Sequence, residues 1–420
     1  MDKFQGSALS LEDFREFFKE VTSYYPYPWQ ERLLQRVVQG DWPSVVAVPT
    51  GAGKTMALLV AVFRMALDPF RAHRRVVYVV NRRLVVDQAH ELAFGLKTSL
   101  KDALGKDTPL GRVASALAEL GGGEPLEVVR LRGGVPKPTP TLSDPARPAV
   151  ILATVDMAGS RLLHRGYGVS RALLPIEGAL FGVDALYLLD EAHLERPFWE
   201  TLKQVAQATQ CAPRPGLKAV ALTATPQALG QGVDLLTLEA SDFSHPDLKQ
   251  RLEAARHVHL KRVDSKKLVK TLAKEAERLQ DELEGPVAVV CNRVGRAWEV
   301  YRELKRKQGD GVLLLTGRMR HYERDQRFAK TRELQEEMNQ KKVRFVVATQ
   351  AIEVGADLDF QGMVTELADL SAILQRLGRV NRRGGYPNAK VVILTEDKKQ
   401  ASPYTPLRIR SRPRLIPLRT

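Results

Sequence analysis

The chain has 420 residues, 44% hydrophobic and 27% charged, with 64 Lys and Arg against 49 Asp and Glu. That length calls for two or three cores rather than one. No run approaches the roughly 18 uninterrupted apolar residues of a membrane helix, so no membrane partner is expected. The net charge of +15 suits a partner with a polyphosphate backbone, the plain alternative being a basic surface without one.

Met1-Asp2-Lys3-Phe4 carries no export signal. Leu11, Phe14, Phe17, Phe18 and Val21 recur at helical spacing and predict an amphipathic helix over 10–21, with Ser10 as cap and Asp13 three residues on. From about residue 25, short apolar runs alternate with helical patterns: strand 44–48, helix 54–67, strand 76–80, helix 84–96. Residues 98–147 break this rhythm with Gly121-Gly122-Gly123 and Pro136-Lys137-Pro138-Thr139-Pro140, around a helix near 110–120 and a strand near 126–131. Strands near 150–153, 185–189 and 218–222 resume it.

After a polar passage at 240–262 a second series follows. It reads as helix 265–284, strand 286–291, helix 295–307, strand 311–315, helix 322–338 and strand 343–348, then strands near 363–366 and 391–395 flanking a helix at 371–377. Such alternation predicts an α/β fold whose mainly parallel sheets are flanked by helices. The expected divisions are an N-terminal helix (1–24), a first domain (25–240), a linker (241–262), a second domain (263–400) and a basic Pro/Arg-rich tail (401–420). Cys211 and Cys291 share no metal-ligand spacing and are expected as small buried side chains in a reducing cytoplasm. His257 and His259 alternate along a possible strand without a paired carboxylate and read as structural.

Chemistry concentrates at strand ends. Pro49-Thr50-Gly51-Ala52-Gly53-Lys54-Thr55 follows the run Val45–Val48. Glycines there let backbone N–H groups turn inward around phosphates, Lys54 brings a cation, and Thr55 offers a hydroxyl to Mg²⁺. Val48 stands where the strict phosphate-loop pattern has glycine. Asp190-Glu191-Ala192-His193 ends the run Ala185–Leu189, placing Asp190 to hold the metal and Glu191 to orient or deprotonate water. Thr223-Ala224-Thr225 ends another strand and could relay nucleotide state. In the second domain Arg376, Arg379 and Arg382 recur at three-residue spacing, on one helical face or flanking a turn. Arginines from a separate domain can stabilise charge on a transferring phosphoryl group, in a cleft that closes on ATP.

This ordered set resembles the superfamily 2 helicases, which stack two RecA-like domains over one ATP. The resemblance implies that Gln30 reads adenine and that Thr50, Gly51, Ala52, Gly53, Lys54 and Thr55 hold the nucleotide. It also implies that Thr55 and Asp190 hold Mg²⁺, that Gly355 and Asp357 belong to the cofactor site, and that Gln375, Arg379 and Arg382 join Lys54, Asp190 and Glu191 in catalysis. Asn381 replaces the glycine usual between the last two arginines. Val80-Asn81-Arg82-Arg83, Leu131-Arg132-Gly133-Gly134, Ala153-Thr154-Val155-Asp156 and Arg165-Gly166-Tyr167-Gly168 resemble the helicase portion of the CRISPR-associated helicase–nuclease, with type I-G phrasing. This likeness implies a nucleic-acid path along Asn81, Arg82, Arg132, Gly133, Thr154, Asn292, Arg293, Thr316, Arg318 and Arg320, each of which is otherwise plain surface polarity. It further implies single-stranded DNA as track, an RNA-guided surveillance complex as partner, and a nuclease domain or subunit supplied elsewhere. None of the eight His is followed by Asp, so the family's His-Asp nuclease motif is not recognisable. Other readings are a restriction or repair translocase on duplex DNA, an RNA helicase, and an ATP-gated clamp or scaffold that never unwinds.

Overall fold

The computed structural model describes residues 9–81, 83–133, 141–212, 215–230, 232–316, 331–353 and 358–396. Arg82, Gly134, Arg318, Arg320, Gly355, Asp357 and the tail over 401–420 lie outside the described residues. The chain forms two compact units, divided at Ala254 and Ala255.

In the first unit the described strands are β1 (Val45–Ala47), β2 (Arg75–Val80), β3 (Glu127–Leu131), β4 (Ala149–Thr154), β5 (Ala185–Asp190), β6 (Leu217–Thr223) and β7 (Leu235–Thr237). They form one sheet in the order β3-β4-β2-β5-β6-β1-β7, parallel at every pairing. The aliphatic strands are buried on both faces, as parallel sheets require. Leu58, Phe63, Val76 and Leu186 pack on one side, and Val77, Ile151, Tyr187 and Trp199 on the other. The N-terminal helix forms over Asp13–Thr22 and seats Phe14 and Phe17 against Phe63, with Phe18 edge-on to Phe14. Ser10 donates to Asp13 Oδ2 from both its N–H and its hydroxyl.

The helices Pro28–Gln39, Val155–Leu162, Leu174–Gly182 and Arg196–Ala208 escape the apolar-run reading. Val155–Leu162 is short and mostly buried, and Leu174–Gly182 is short with apolar residues on both its buried and its exposed sides, so neither shows a clear apolar stripe. Residues 241–262, expected as a linker, hold the helix Pro246–Leu252 and most of strand β8 (His257–Val263). Arg32 fixes the stretch before that helix, pairing at 2.7 Å with the wholly buried Asp242.

The second unit adds β9 (Val287–Val290), β10 (Val312–Leu315), β11 (Phe345–Ala348), β12 (Gly362–Glu366) and β13 (Lys390–Glu396), parallel in the order β10-β11-β9-β12-β13-β8. Leu272, Val289 and Val347 centre its core. β8 is an edge strand, exposed along most of its length, and its His and Lys side chains suit an edge that must resist further pairing. Cys291 is buried as expected, but Cys211 is exposed, since the helix before it ends at Ala208 and leaves it in a surface turn.

Candidate active site

In the first sheet the strand ends β5, β6 and β1 lie side by side, so three loops distant in sequence meet at one edge. Ligands of open α/β sheets sit at this carboxyl edge. The loop after β1 has Gly51 at φ 89° and Gly53 at φ 81°, left-handed conformations that favour glycine. A Cβ at Gly53 would come within 3.0 Å of Gln30 Nε2.

Two side chains of the Pro28–Gln39 helix hold this loop from beneath. Trp29 Nε1 donates to Ala52 O at 3.0 Å, and Gln30 Nε2 donates to Gly53 O at 3.3 Å. Gln30 Oε1 accepts from Tyr27 N–H, so each end of the buried amide makes one bond and a second N–H of Nε2 is left over. Arg251, from the segment expected as linker, donates to Gly51 O at 3.3 Å. Trp29 and Arg251 were not legible as site residues, because each acts through a backbone carbonyl that no motif spells out.

Lys54 Nζ is buried, makes no hydrogen bond among the described residues, and lies 3.2 Å from Glu191 Oε1. Glu191 adopts φ 49° and ψ 44°, a left-handed backbone that costs a glutamate about 1–2 kcal/mol. The turn is closed by Leu194 N–H on Glu191 O at 2.9 Å and by Glu191 N–H on Asp190 Oδ1 at 3.0 Å. Such strain held by surrounding bonds is a mark of functional loops.

Burial raises the Asp190 carboxyl to about 6, with Glu191 adding and Lys54 opposing. Burial also lowers His193, whose Nδ1 lies 3.1 Å from Thr223 Oγ1 and 3.5 Å from Glu191 Oε2. Thr223 Oγ1 accepts from Thr225 N–H at 3.0 Å. Thr223 at the end of β6, and Thr225 beyond it, thus connect to the carboxylate loop through His193.

Among the described residues, Asp190 accepts from Tyr78 and from Glu191 N–H and meets no cationic side chain within ion-pair distance. A buried carboxylate in that condition, with the Thr55 hydroxyl nearby, is an all-oxygen donor set that fits a hard divalent cation. The loop and Lys54 likewise fit a polyphosphate.

In the second unit the three arginines part company. The helix Leu370–Leu377 ends before Arg379, so they do not share a helical face. Arg376 turns inward, 1% exposed, onto Glu353, Thr365, Glu366 O and Asn292. Arg379 Nη2 donates to Glu353 O at 3.0 Å, and Arg382 N–H donates to Asp359 Oδ1 at 2.7 Å. Gln375 and Arg382 are half-buried. Asn381 adopts φ 49°, which asparagine tolerates better than most residues. Its side chain bonds Ala255 O at 3.1 Å and Tyr386 N–H at 2.9 Å, so the turn keeps its shape without glycine.

The expected nucleic-acid path divides similarly. Arg293 is exposed at the start of the Val294–Gln308 helix. Asn81 is exposed and donates to Glu195. Gly133 is half-buried, and Thr154 and Thr316 are buried at the ends of β4 and β10. Arg132 is buried, with Nε 2.7 Å from Asp87 Oδ1. Asn292 spends both ends of its amide internally, on Leu367 O and Arg376.

Two units, each a parallel sheet flanked by helices, match the RecA-like fold of helicases. Two family models match in agreement with it: type III restriction enzyme, res subunit, over residues 23–228, and CRISPR-associated nuclease/helicase Cas3, C-terminal, over 284–385. These matches support a Cas3-like superfamily 2 helicase. CRISPR-associated nuclease/helicase Cas3 of Methanothermobacter thermautotrophicus is 31% identical over 130 residues, covering 30% of this chain and 15% of that protein. The Streptococcus thermophilus protein of the same name is 28% identical over 102 residues, 23% of this chain and 11% of that one. The alignments thus span a small part of those relatives' lengths. Among solved structures, T. fusca Cas3 with AMPPNP gives a TM-score of 0.61 at 19% identity, covering 92% of this chain and 48% of that one. S. cerevisiae Dbp5 bound to RNA and ADP BeF3 gives 0.57 at 16% identity, covering 93% and 90%. No helix among the described residues is long and apolar enough to cross a membrane.

Proposed function

We propose that this chain is an ATP- and Mg²⁺-dependent motor that translocates along single-stranded DNA in type I CRISPR interference. In this reading it acts on target DNA marked by an RNA-guided surveillance complex, and a nuclease domain or subunit elsewhere does the cutting. The observation that carries the hydrolase part is the meeting of Lys54, Asp190 and Glu191 at the ends of β1 and β5, on either side of β6, with Lys54 Nζ buried and, among the described residues, ion-paired with Glu191. The CRISPR part rests on the Cas3 matches and on the Asn81, Arg132, Thr154 and Tyr167 loop segments, whose type I-G phrasing is part of the proposal.

In this scheme Lys54 transfers from Glu191 to the phosphates, which frees the Glu191 carboxylate to orient and deprotonate the attacking water. Bound Mg²⁺, held by Thr55 and Asp190, supplies charge neutralisation at the phosphates. Gln30 reads the base while tying its loop, and Gly355 and Asp357 complete the cofactor site. Arg379 and Arg382 stabilise charge on the transferring group, with Gln375 beside them. Asn81, Arg82, Arg132, Gly133, Thr154, Asn292, Arg293, Thr316, Arg318 and Arg320 remain the proposed path of the strand. Arg293 is the exposed cation among those described and is a candidate for phosphate contact.

Glu191→Gln is expected to bind ATP normally and lose turnover by at least about 100-fold, the scale of a positioned general base. Unchanged hydrolysis in that variant would refute the assignment. Single-stranded DNA is expected to stimulate the wild type, with affinity falling steeply as salt rises; stimulation by RNA alone would remove the DNA and CRISPR parts and leave the motor.

A further inference from the structure

β2 reads Arg75-Val76-Val77-Tyr78-Val79-Val80, and a phenol interrupts an otherwise aliphatic run in the middle of a buried sheet. A hydroxyl taken into such a core without a partner costs several kcal/mol on the scale of transfer to hydrocarbon, so its partner explains its presence. Tyr78 pairs in register with Leu188 on β5, and Asp190 follows two residues on, on the same face. Two strand residues rise about 6.6 Å, a distance the ring spans. Tyr78 Oη donates to Asp190 Oδ2 at 2.8 Å and lies 3.4 Å from Thr55 Oγ1. The residue is wholly buried.

We propose that Tyr78 is the positioning residue of the divalent-cation site, holding Asp190 and Thr55 in the orientation that presents oxygen lone pairs to the metal. The inference rests on the reading of Thr55 and Asp190 given above. Its chemistry follows from donors and acceptors. A carboxylate has two oxygens, and here one accepts from Tyr78 and the other from Glu191 N–H, so the plane of the carboxylate is fixed while each oxygen keeps a lone pair. A threonine that faces a cation must give its proton to another group. The Tyr78 oxygen, its own proton committed to Asp190, is the acceptor within reach. Orienting groups of this kind commonly change metal affinity by 10- to 100-fold.

The test is Tyr78→Phe, which removes one oxygen and keeps the ring. Mn²⁺ binding in the presence of ADP, read by electron paramagnetic resonance, is expected to weaken about tenfold. Binding of a fluorescent ADP in EDTA is expected to stay within twofold of wild type. The Mg²⁺ concentration for half-maximal ATPase activity should rise while kcat at saturating Mg²⁺ changes little. A variant that melts like wild type and binds Mn²⁺ within twofold of it overturns the proposal. If Tyr78→Phe fails to fold, Tyr78→Met is measured the same way, and failure of both overturns the positioning role in favour of a purely structural one. A wild type that neither binds Mn²⁺ with ADP nor hydrolyses ATP refutes the reading of the site itself, which separates the two failures.

Discussion

Arg376 offers the sharpest test of which motif arginines belong to structure and which to chemistry. Its guanidinium donates to Glu353 Oε1 through Nε at 2.9 Å, to Thr365 Oγ1 and Glu366 O through Nη1 at 2.8 and 2.9 Å, and to Asn292 Oδ1 through Nη2 at 2.9 Å. Arg376→Ala removes all four bonds and leaves the buried Glu353 carboxylate without this cation. Breaking a buried pair from one side costs about 3–5 kcal/mol, because the remaining charge stays desolvated. For a unit of this size each kcal/mol shifts the melting temperature by about 2–4 °C, which gives a loss of roughly 6–20 °C for the transition of the second unit. The assay is differential scanning calorimetry of Arg376→Ala beside Arg382→Ala. Arg382 is half-buried, so its variant should lose less stability than Arg376→Ala and lose turnover instead. Combining Arg376→Met with Glu353→Leu should destabilise by less than the sum of the single changes, since the two residues share one ion pair. An Arg376→Ala protein that melts like wild type would refute the reasoning, and with it the division between an inward arginine and the two beyond the helix.

Two further outcomes follow from single side chains. Asn381→Ala should destabilise by about 2–4 kcal/mol, combining left-handed strain with two lost hydrogen bonds, whereas Asn381→Gly should lose less because only the bonds go; chemical denaturation that ranks glycine equal to or below alanine would contradict this. Burial holds the His73 imidazole down to about 4, with Lys218 adding and Asp184 and Asp41 opposing. The folded protein therefore favours neutral His73, and the stability this gives is full above about pH 6.5 and is lost as pH falls through 4, by at most about 3 kcal/mol. His73→Gln should flatten that part of the stability profile, and an unchanged slope between pH 6.5 and 4 would exclude His73 as its source.

The sequence by itself determined the two-sheet α/β plan and the chemistry-bearing loops. Short apolar runs such as Val76–Val80 and Ala185–Leu189, rich in valine, tyrosine and leucine and alternating with helical patterns, read as buried strands, and Gly51 to Thr55 or Asp190-Glu191 carry their chemistry in adjacent residues. What is local in the chain was legible. Tertiary structure decided whatever depends on which strands become neighbours. β5 and β1 stand on either side of β6, which brings Lys54 to Glu191, and β2 beside β5 brings Tyr78 to Asp190. Likewise three arginines evenly spaced in sequence look equivalent, yet the helix end at Leu377 sends Arg376 into the core and leaves Arg379 and Arg382 on the turn beyond. Spacing along a chain fixes which residues can share a face, whereas hydrogen-bond partners come from elements far away in sequence. For that reason the role of a buried polar side chain was settled only by the fold.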